Sequence, residues 1–329
     1  MTTATLTEIK TLETAKHTRL VSFENSNSWL KRHDSEGTKV VQAGYQLNPS
    51  SIAQRSRDTD NPIVVVSGQP PRWYGVKACT GNYTPIHGQS KIETARESFT
   101  ALLRPTDHER DLIVVASHWD DSNLKALETA LKGQYKATVN GHQIQCNVTQ
   151  VIVTEEGMGS YHAVADRLKP GATLVIEMGF GTSEFWLVGE DGLPQDGGTV
   201  DTLGIAKLCQ DLSLDPQIRA IASDNANSVA PALISRYLRD GHPARIDSAV
   251  WDKLKSQYAS EHLKRLQAYI KSEWAHCLQD IPNIVLTGGG AALLSSIQPK
   301  LHQVFLIPEF PQTASVRGAY ESQWSKVGV

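Results

Sequence analysis

Ile176-Glu177-Met178-Gly179-Phe180-Gly181-Thr182-Ser183-Glu184-Phe185-Trp186-Leu187 is the stretch on which the fold reading turns. An apolar strand runs into a short turn of glycine and hydroxyl residues and leaves as a second apolar strand. Such a turn has two readings. Without bulky side chains the backbone approaches an anion closely, and successive N–H groups and hydroxyls form a cradle that suits phosphate. Alternatively, the glycines simply make a tight corner. Glu177 ends the first strand, where an ionised carboxylate in an apolar run is costly unless it meets a cation, water or donors. A hydrated Mg²⁺ satisfies it, as does a turn N–H or solvent.

The pattern has a faint echo upstream, Val21-Ser22-Phe23-Glu24-Asn25-Ser26-Asn27-Ser28-Trp29-Leu30, which again reads strand, small polar turn, strand and suggests two related lobes. A third turn, Thr287-Gly288-Gly289-Gly290, follows the strand Ile284-Val285-Leu286 and leads into the apolar Ala291-Ala292-Leu293-Leu294, so a helix N-terminus can face a ligand there. None of the three matches the P-loop ending in Gly-Lys-Ser/Thr or the dinucleotide fingerprint. Glu155 and Glu156 sit between the strand Val151-Ile152-Val153-Thr154 and Gly157-Met158-Gly159-Ser160, where one acid can position a water or both can favour a helix dipole. Asp120 and Asp121 read as helix caps beside His118, and no serine-hydrolase elbow is present.

Short β-branched runs at 40–41, 63–66, 112–115, 151–153, 174–176, 284–286 and, interrupted by Arg219, 218–221 read as strands, the first beginning near Arg19. Helical spacing appears over Glu93–Leu103, Asp121–Lys132, Tyr161–Leu168, Thr199–Cys209, Ala230–Tyr237 and Ser248–Leu278. Alternation of the two predicts an α/β protein with mainly parallel central sheets. A hairpin over Lys132–His142 is expected at Asn140-Gly141. With 32 Lys+Arg against 35 Asp+Glu the net charge is −3, which gives no overall basic field for nucleic acid or anionic lipid. No apolar run is long enough to span a membrane and the Thr-rich first 17 residues have no apolar core, so a cytoplasmic chain is expected. Cys79, Cys146, Cys209 and Cys277 stand singly and read as reduced, buried thiols.

Taken in order, these segments resemble the actin-like ATPases, and within them the bacterial ParM/StbA-like plasmid-segregation branch. Val21 to Lys31 resembles the first phosphate loop, and Val153 to Tyr161 the first connecting motif. Ile176 to Ser183 resembles the second phosphate loop, Ile284 to Ala291 the adenosine motif, and Pro308 to Tyr320 the closing segment with Ala-x-x-x-Gly. The resemblance covers most of the chain. It implies an α/β, actin-like (RNase H-like) two-lobed fold with mixed central sheets and a nucleotide cleft between the lobes. Residues 1–17 would be a flexible extension, 18–170 plus 305–329 lobe I with a smaller subdomain near 45–105, and 171–304 lobe II.

The resemblance also implies roles. Asn25, Ser26, Asn27 and Ser28 and, opposite, Gly179, Gly181, Thr182 and Ser183 would clasp the phosphates of ATP or GTP, with Gly288, Gly289 and Gly290 passing under the nucleoside. Glu155 matches the water-positioning acid and Glu177 the acid that holds Mg²⁺ through water, so these two would be catalytic. The sequence departs from the family at Ser22, where an aspartate is usual, at Glu24, where a glycine is usual, and at Glu177, usually aspartate. The implied function is a nucleotide-dependent filament serving plasmid segregation through a DNA-bound adaptor, with hydrolysis weakened by Ser22 and Glu24. The alternatives are a non-hydrolysing filament scaffold and a small-molecule phosphotransferase of the superfamily. Trp73, Tyr74 and Trp119 are candidate interface aromatics.

Overall fold

The computed structural model describes residues 17–327 except Asn27, 81–82, 87–89, 119–122, 221–228 and Ala244. The expected extension therefore lies almost wholly outside the described residues, as do Asn27, Trp119, Asp120 and Asp121. Two compact units emerge: one runs up to Ala163 and takes in the segment from Ser315 onward, and the other is Val164–Ala314.

The first unit is built on a ten-stranded sheet. Its strands are β1 (Thr18–Asn25), β2 (Trp29–Asp34), β3 (Gly37–Gln42), β4 (Gly44–Leu47), β5 (Ile63–Val66), β6 (Arg72–Tyr74), β7 (Thr84–Pro85), β8 (Asp111–His118), β9 (Gly133–Val139) and β10 (His142–Glu155). They lie in the order β3-β2-β1-β8-β10-β9-β5-β6-β4-β7. β1, β8 and β10 run parallel, so Asn25, His118 and Glu155 all come at the same end of the sheet. The β9–β10 hairpin turns on Asn140 and Gly141, both with positive φ (53° and 90°), as the Asn-Gly pair predicts. Val21, Phe23, Leu30, Phe99, Leu112 and Val114 are fully buried in its core, where Phe23 meets Phe99 edge-on at 5.3 Å.

The second unit holds β11 (Thr173–Met178), β12 (Ser183–Val188), β13 (Pro194–Val200) and β14 (Asn283–Thr287) in the order β13-β12-β11-β14. β11 pairs antiparallel with β12 and parallel with β14, and a single parallel bridge, Val285 to Leu306, continues the sheet beyond β14. In the first unit, β1 likewise sits between an antiparallel partner, β2, and a parallel one, β8. The turn after β1 and the turn after β11 are thus topologically equivalent, which is the physical content of the sequence echo.

Four sequence expectations are corrected. The sheets are mixed rather than mainly parallel: among the described residues only β1–β8, β8–β10 and β11–β14 pair in parallel, and the other nine strand pairings are antiparallel. Residues 218–221 were expected as a strand, but Pro216–Arg219 is a helix: the Asp215 side chain accepts from the Gln217 N–H and Pro216 starts the first turn. The expected helix from Thr199 gives way to β13, whose Thr199 and Val200 pair with Glu184 and Ser183, and helix begins only at Ile205. The Tyr161–Leu168 pattern divides into a helix at Met158–His162 and a 3₁₀ turn at Ala165–Arg167. Among the cysteines, Cys146 and Cys209 are buried with thiols pushed up to about 12 by burial, whereas Cys79 and Cys277 are only half-buried. Tyr74 is core, its hydroxyl donating to Glu97 at 2.8 Å, and the Trp73 indole N–H donates to the Asn61 carbonyl at 3.2 Å. No helix among the described residues is long and apolar enough to cross a membrane.

The C-terminal helix Ala314–Val327 is fixed to the first unit by two glycines in contact. A Cβ on Gly318 would lie 1.9 Å from the Gly159 carbonyl oxygen, and one on Gly159 would lie 2.0 Å from the Ser315 carbonyl oxygen. Gly318→Val is therefore expected to lower stability by roughly 3 kcal/mol or more. Urea titration checks this, and a midpoint equal to wild type would contradict it.

Beneath β2 and β3 lies a buried ionic cluster. Arg32 is fully buried and bidentate to Asp107 at 2.5 and 2.7 Å, with Asp34 at 2.6 Å. Burial raises the Asp107 carboxyl, but Arg32, joined by the Arg104 N–H and Arg19, more than offsets it and holds Asp107 below its ordinary value. Lys39 stands directly across from Arg32 in the β2–β3 ladder and donates to the Ala101 and Leu103 carbonyls at 3.1 and 3.3 Å, at the C-terminal end of the Lys91–Leu102 helix. That end of a helix favours a cation. Burial, and then Arg32 and Arg104, nonetheless push the Lys39 ammonium down to about 7. The unfolded chain, with lysine at its ordinary 10.5, thus binds more protons than the folded one between about pH 7 and 10.5, and stability rises with pH through that window. Lys39→Met is expected to melt above wild type at pH 6 to 7, with the gap narrowing towards pH 10. A gap independent of pH would contradict a charged, strained Lys39.

Candidate functional site

In the second unit the decisive turn is residues 179–182, between β11 and β12. The Gly179 N–H closes it on the Thr182 carbonyl at 2.9 Å. Its outer carbonyls face the Ile205–Ser213 helix: Gly179 accepts from the Ile205 N–H at 3.2 Å and Phe180 from the Ala206 N–H at 2.7 Å. Gly204 permits this seating, because a Cβ there would lie 2.4 Å from Gly181 backbone atoms. With the carbonyls turned to the helix, the N–H groups of Phe180, Gly181 and Thr182 and the Thr182 hydroxyl have no partner among the described residues. Half-buried backbone donors left this way are open to solvent or to an anion. Ser183 is different: it is fully buried and its hydroxyl donates to the Leu203 carbonyl at 2.8 Å.

Because β11 and β14 run parallel with Glu177 beside Thr287, the Gly288–Ile297 helix starts next to this turn. All three glycines fall within its first helical turn rather than ahead of it, and no side chain caps that end. Gly288, at φ +86°, would place a Cβ 2.5 Å from the Met178 carbonyl oxygen, and Gly290 would place one 2.4 Å from the Met178 side chain. Packing therefore requires these two. A Cβ on Gly289 would meet nothing within 4 Å.

Glu177 is 8% exposed, and its cross-strand neighbour on β12 is Glu184, 9% exposed. With Thr287 on β14 and Thr199 on β13 they form one polar row across the sheet. Oxygen donors of this hardness suit Mg²⁺. Sequence reasoning missed Glu184 and Gly204; the signal for the former was a charged residue inside the apolar run Ser183–Val188.

In the first unit, the turn after β1 is more occupied than expected. The Ser26 hydroxyl closes its own turn on the Trp29 carbonyl at 2.6 Å, and the Asn25 amide donates to the Lys91 carbonyl and the Thr94 hydroxyl at 2.9 and 3.1 Å. The Ser28 hydroxyl has no partner among the described residues. Ser22 is fully buried with its hydroxyl donating to the Val316 carbonyl, and the Glu24 carboxylate is held by Lys31 at 2.6 Å and by the Ser315 hydroxyl. Glu24 is thus strand, with its charge neutralised inside the unit. At the end of β10, Glu156 is buried and ion-paired with Lys91 at 2.7 Å, whereas half-buried Glu155 has no partner among the described residues. Gly157, at φ +89°, turns the chain after it into the Met158–His162 helix.

Solved structures repeat this architecture over nearly the whole chain. The archaeal actin homologue Ta0583 matches with a TM-score of 0.73 at 17% identity, covering 93% of this chain and 99% of that one. The chain has the actin-like fold. The same homologue in complex with ADP gives a TM-score of 0.72 at 18% identity, over 93% and 99% of the two chains. A 15-stranded ParM filament from Clostridium botulinum gives 0.73 at 13% identity, over 94% and 99%. No protein-family model matches the sequence, and no curated protein is significantly similar to it. The segments that resemble actin-like motifs come at matching strand ends: Glu155 shares a sheet end with the turn after β1, and Gly288–Gly290 shares one with the turn after β11. Among the described residues no group of three or more His, Cys, Asp and Glu stands within metal-holding reach of one another.

Proposed function

We propose that this chain binds ATP or GTP with Mg²⁺ and polymerises in response to the bound nucleotide. The observation that carries the reading is Gly289, a glycine between two that packing demands, itself facing open space at a helix N-terminus. Neither strain nor packing explains it. A ligand lying against the backbone does, and the unbonded N–H groups at 180–182 supply phosphate donors beside it.

Hydrolysis would be phosphoryl transfer to water, in which the protein mainly positions the reactants. Glu155, unpaired among the described residues, accepts a hydrogen bond from the attacking water and orients it. Lys91 fixes the adjacent Glu156 and so the turn that carries Glu155. Mg²⁺ would be held by Glu177 through water, with Glu184 beside it, and would neutralise charge developing on the phosphates. Ser22 cannot supply a carboxylate, and Glu24 is engaged by Lys31 and Ser315. Turnover is therefore slow. That same engagement favours, as a second reading, a filament scaffold that binds nucleotide without hydrolysing it. The resemblance to ParM/StbA-like proteins points to plasmid segregation through a DNA-bound adaptor.

Calorimetric titration of ATP and GTP, with Mg²⁺ and with EDTA, tests the binding step. The expected result is one site per chain, weakened by chelation; absence of binding by either nucleotide overturns the proposal.

A further inference from the structure

The hairpin joining β12 to β13 has a hydrogen-bonded, charged tip. The Gly189 N–H donates to the Leu193 carbonyl at 2.9 Å, the Gly192 N–H to the Gly189 carbonyl at 3.0 Å, and the Leu193 N–H to the Asp191 carboxylate at 3.0 Å. Held this way, Leu193 is 62% exposed, among the exposed acids Glu190, Asp191 and Asp196. None of the three acids makes an ion pair among the described residues.

A complementary surface lies elsewhere on the same unit. Between the Ser248–Glu273 helix and the Pro299–Gln303 turn runs a groove of about 220 Å³, floored by Leu263 and Leu301 and bordered by Val304, which is 58% exposed. Lys264 and Lys300 flank it, both exposed and without an ion pair among the described residues. The Gln298 amide donates to the Ser256 carbonyl and to the Ser256 and Ser260 hydroxyls at 3.1, 2.9 and 3.0 Å, which holds the turn to the helix and keeps the groove formed.

The tip lies at one edge of the sheet, and the Val304 side of the groove lies towards the other. The tip joins the edge strand β13 to β12, while Val304 precedes Leu306, which bridges to Val285 beyond β14 at the other edge. Among the described residues no ion pair joins Glu190, Asp191 or Asp196 to Lys264 or Lys300 within the chain. A second copy can supply each to the other. We propose that the Leu193 tip of one copy docks in the groove of the next, with Glu190, Asp191 and Asp196 facing Lys264 and Lys300. Such a contact uses different patches on the two copies, so it propagates into an open chain rather than closing as a dimer. A preformed tip loses little conformational freedom on docking. The inference rests on the filament reading above and names the contact that would build it.

The test is sedimentation velocity with Mg-ATP on wild type, on the tip variant Glu190→Lys/Asp196→Lys, which spares the Asp191 carboxylate that holds Leu193, on the groove variant Lys264→Glu/Lys300→Glu, on an equimolar mixture of the two, and on the fourfold variant. Thermal melts confirm that each variant folds. Each double variant alone should associate at least about tenfold more weakly, since like charges meet. The mixture and the fourfold variant should return to within about threefold of wild type, because opposite charges face each other again. Association of either double variant at wild-type strength, or loss without rescue, overturns the contact alone. A wild type that stays monomeric at every concentration, with and without nucleotide, overturns the filament reading and the contact together.

Discussion

Gly289→Val is expected to abolish nucleotide binding while leaving the fold intact. The new side chain enters space where, apart from Gly289's own neighbours and helix backbone, nothing lies within 4 Å of the Cβ position, and Gly289 has no left-handed φ to oppose a branched residue. Valine is if anything a slightly better helix former than glycine, so the melting temperature should move by only a degree or two. If a nucleoside lies against this backbone, the isopropyl group occupies its place, and affinity should fall by about a hundredfold or more, roughly 3 kcal/mol. Gly288→Val and Gly290→Val are the contrasting controls. Their Cβ atoms would collide with the Met178 backbone and side chain at 2.5 and 2.4 Å, so both should lose stability first and binding as a consequence. A labelled nucleotide, titrated by fluorescence anisotropy alongside thermal melts, separates the cases. Undiminished binding by Gly289→Val removes this helix start from the site.

Glu155→Ala should cut phosphate release by about 10²- to 10⁴-fold, the usual contribution of a positioned acid or base, with nucleotide affinity nearly unchanged. Glu155 has no protein partner among the described residues, so its removal leaves nothing orphaned and should alter stability by less than about 0.5 kcal/mol. Glu156→Ala should show the opposite pattern. It strips Lys91 of its 2.7 Å pair at the start of the Lys91–Leu102 helix and should lower stability by about 1 to 3 kcal/mol. Two adjacent glutamates thus carry separable expectations. Single-turnover phosphate release and urea titration on both variants check them, and unchanged turnover in Glu155→Ala would refute its role.

Much of the fold was legible because it depends on local pattern. β-branched runs, the Asn140-Gly141 turn and the glycine-rich strand ends carry their physics in neighbouring residues. What was not legible depends on partners distant in sequence. Ser22 and Glu24 read as departures in a loop facing phosphate; their hydroxyl and carboxylate are in fact taken by Val316, Lys31 and Ser315. Asn25 and Ser183 were read as phosphate donors from their place in the turns; the side-chain bonds they make to Lys91 and Leu203, 66 and 20 residues away, have no local signature. The misread strand at 218–221 was locally decidable: Asp215-Pro216 is a helix start, and three apolar residues outweighed it wrongly. Glu184 was hidden because only the strand register sets it beside Glu177.

The central claim is that bound nucleotide drives this chain to assemble. It is tested most directly by following light scattering and phosphate release in the same sample after adding Mg-ATP or Mg-GTP, with ADP and a non-hydrolysable analogue as comparisons. The account predicts a rise in scattering with triphosphate and with the analogue, accompanied by slow phosphate release. Scattering that is flat with every nucleotide would contradict it.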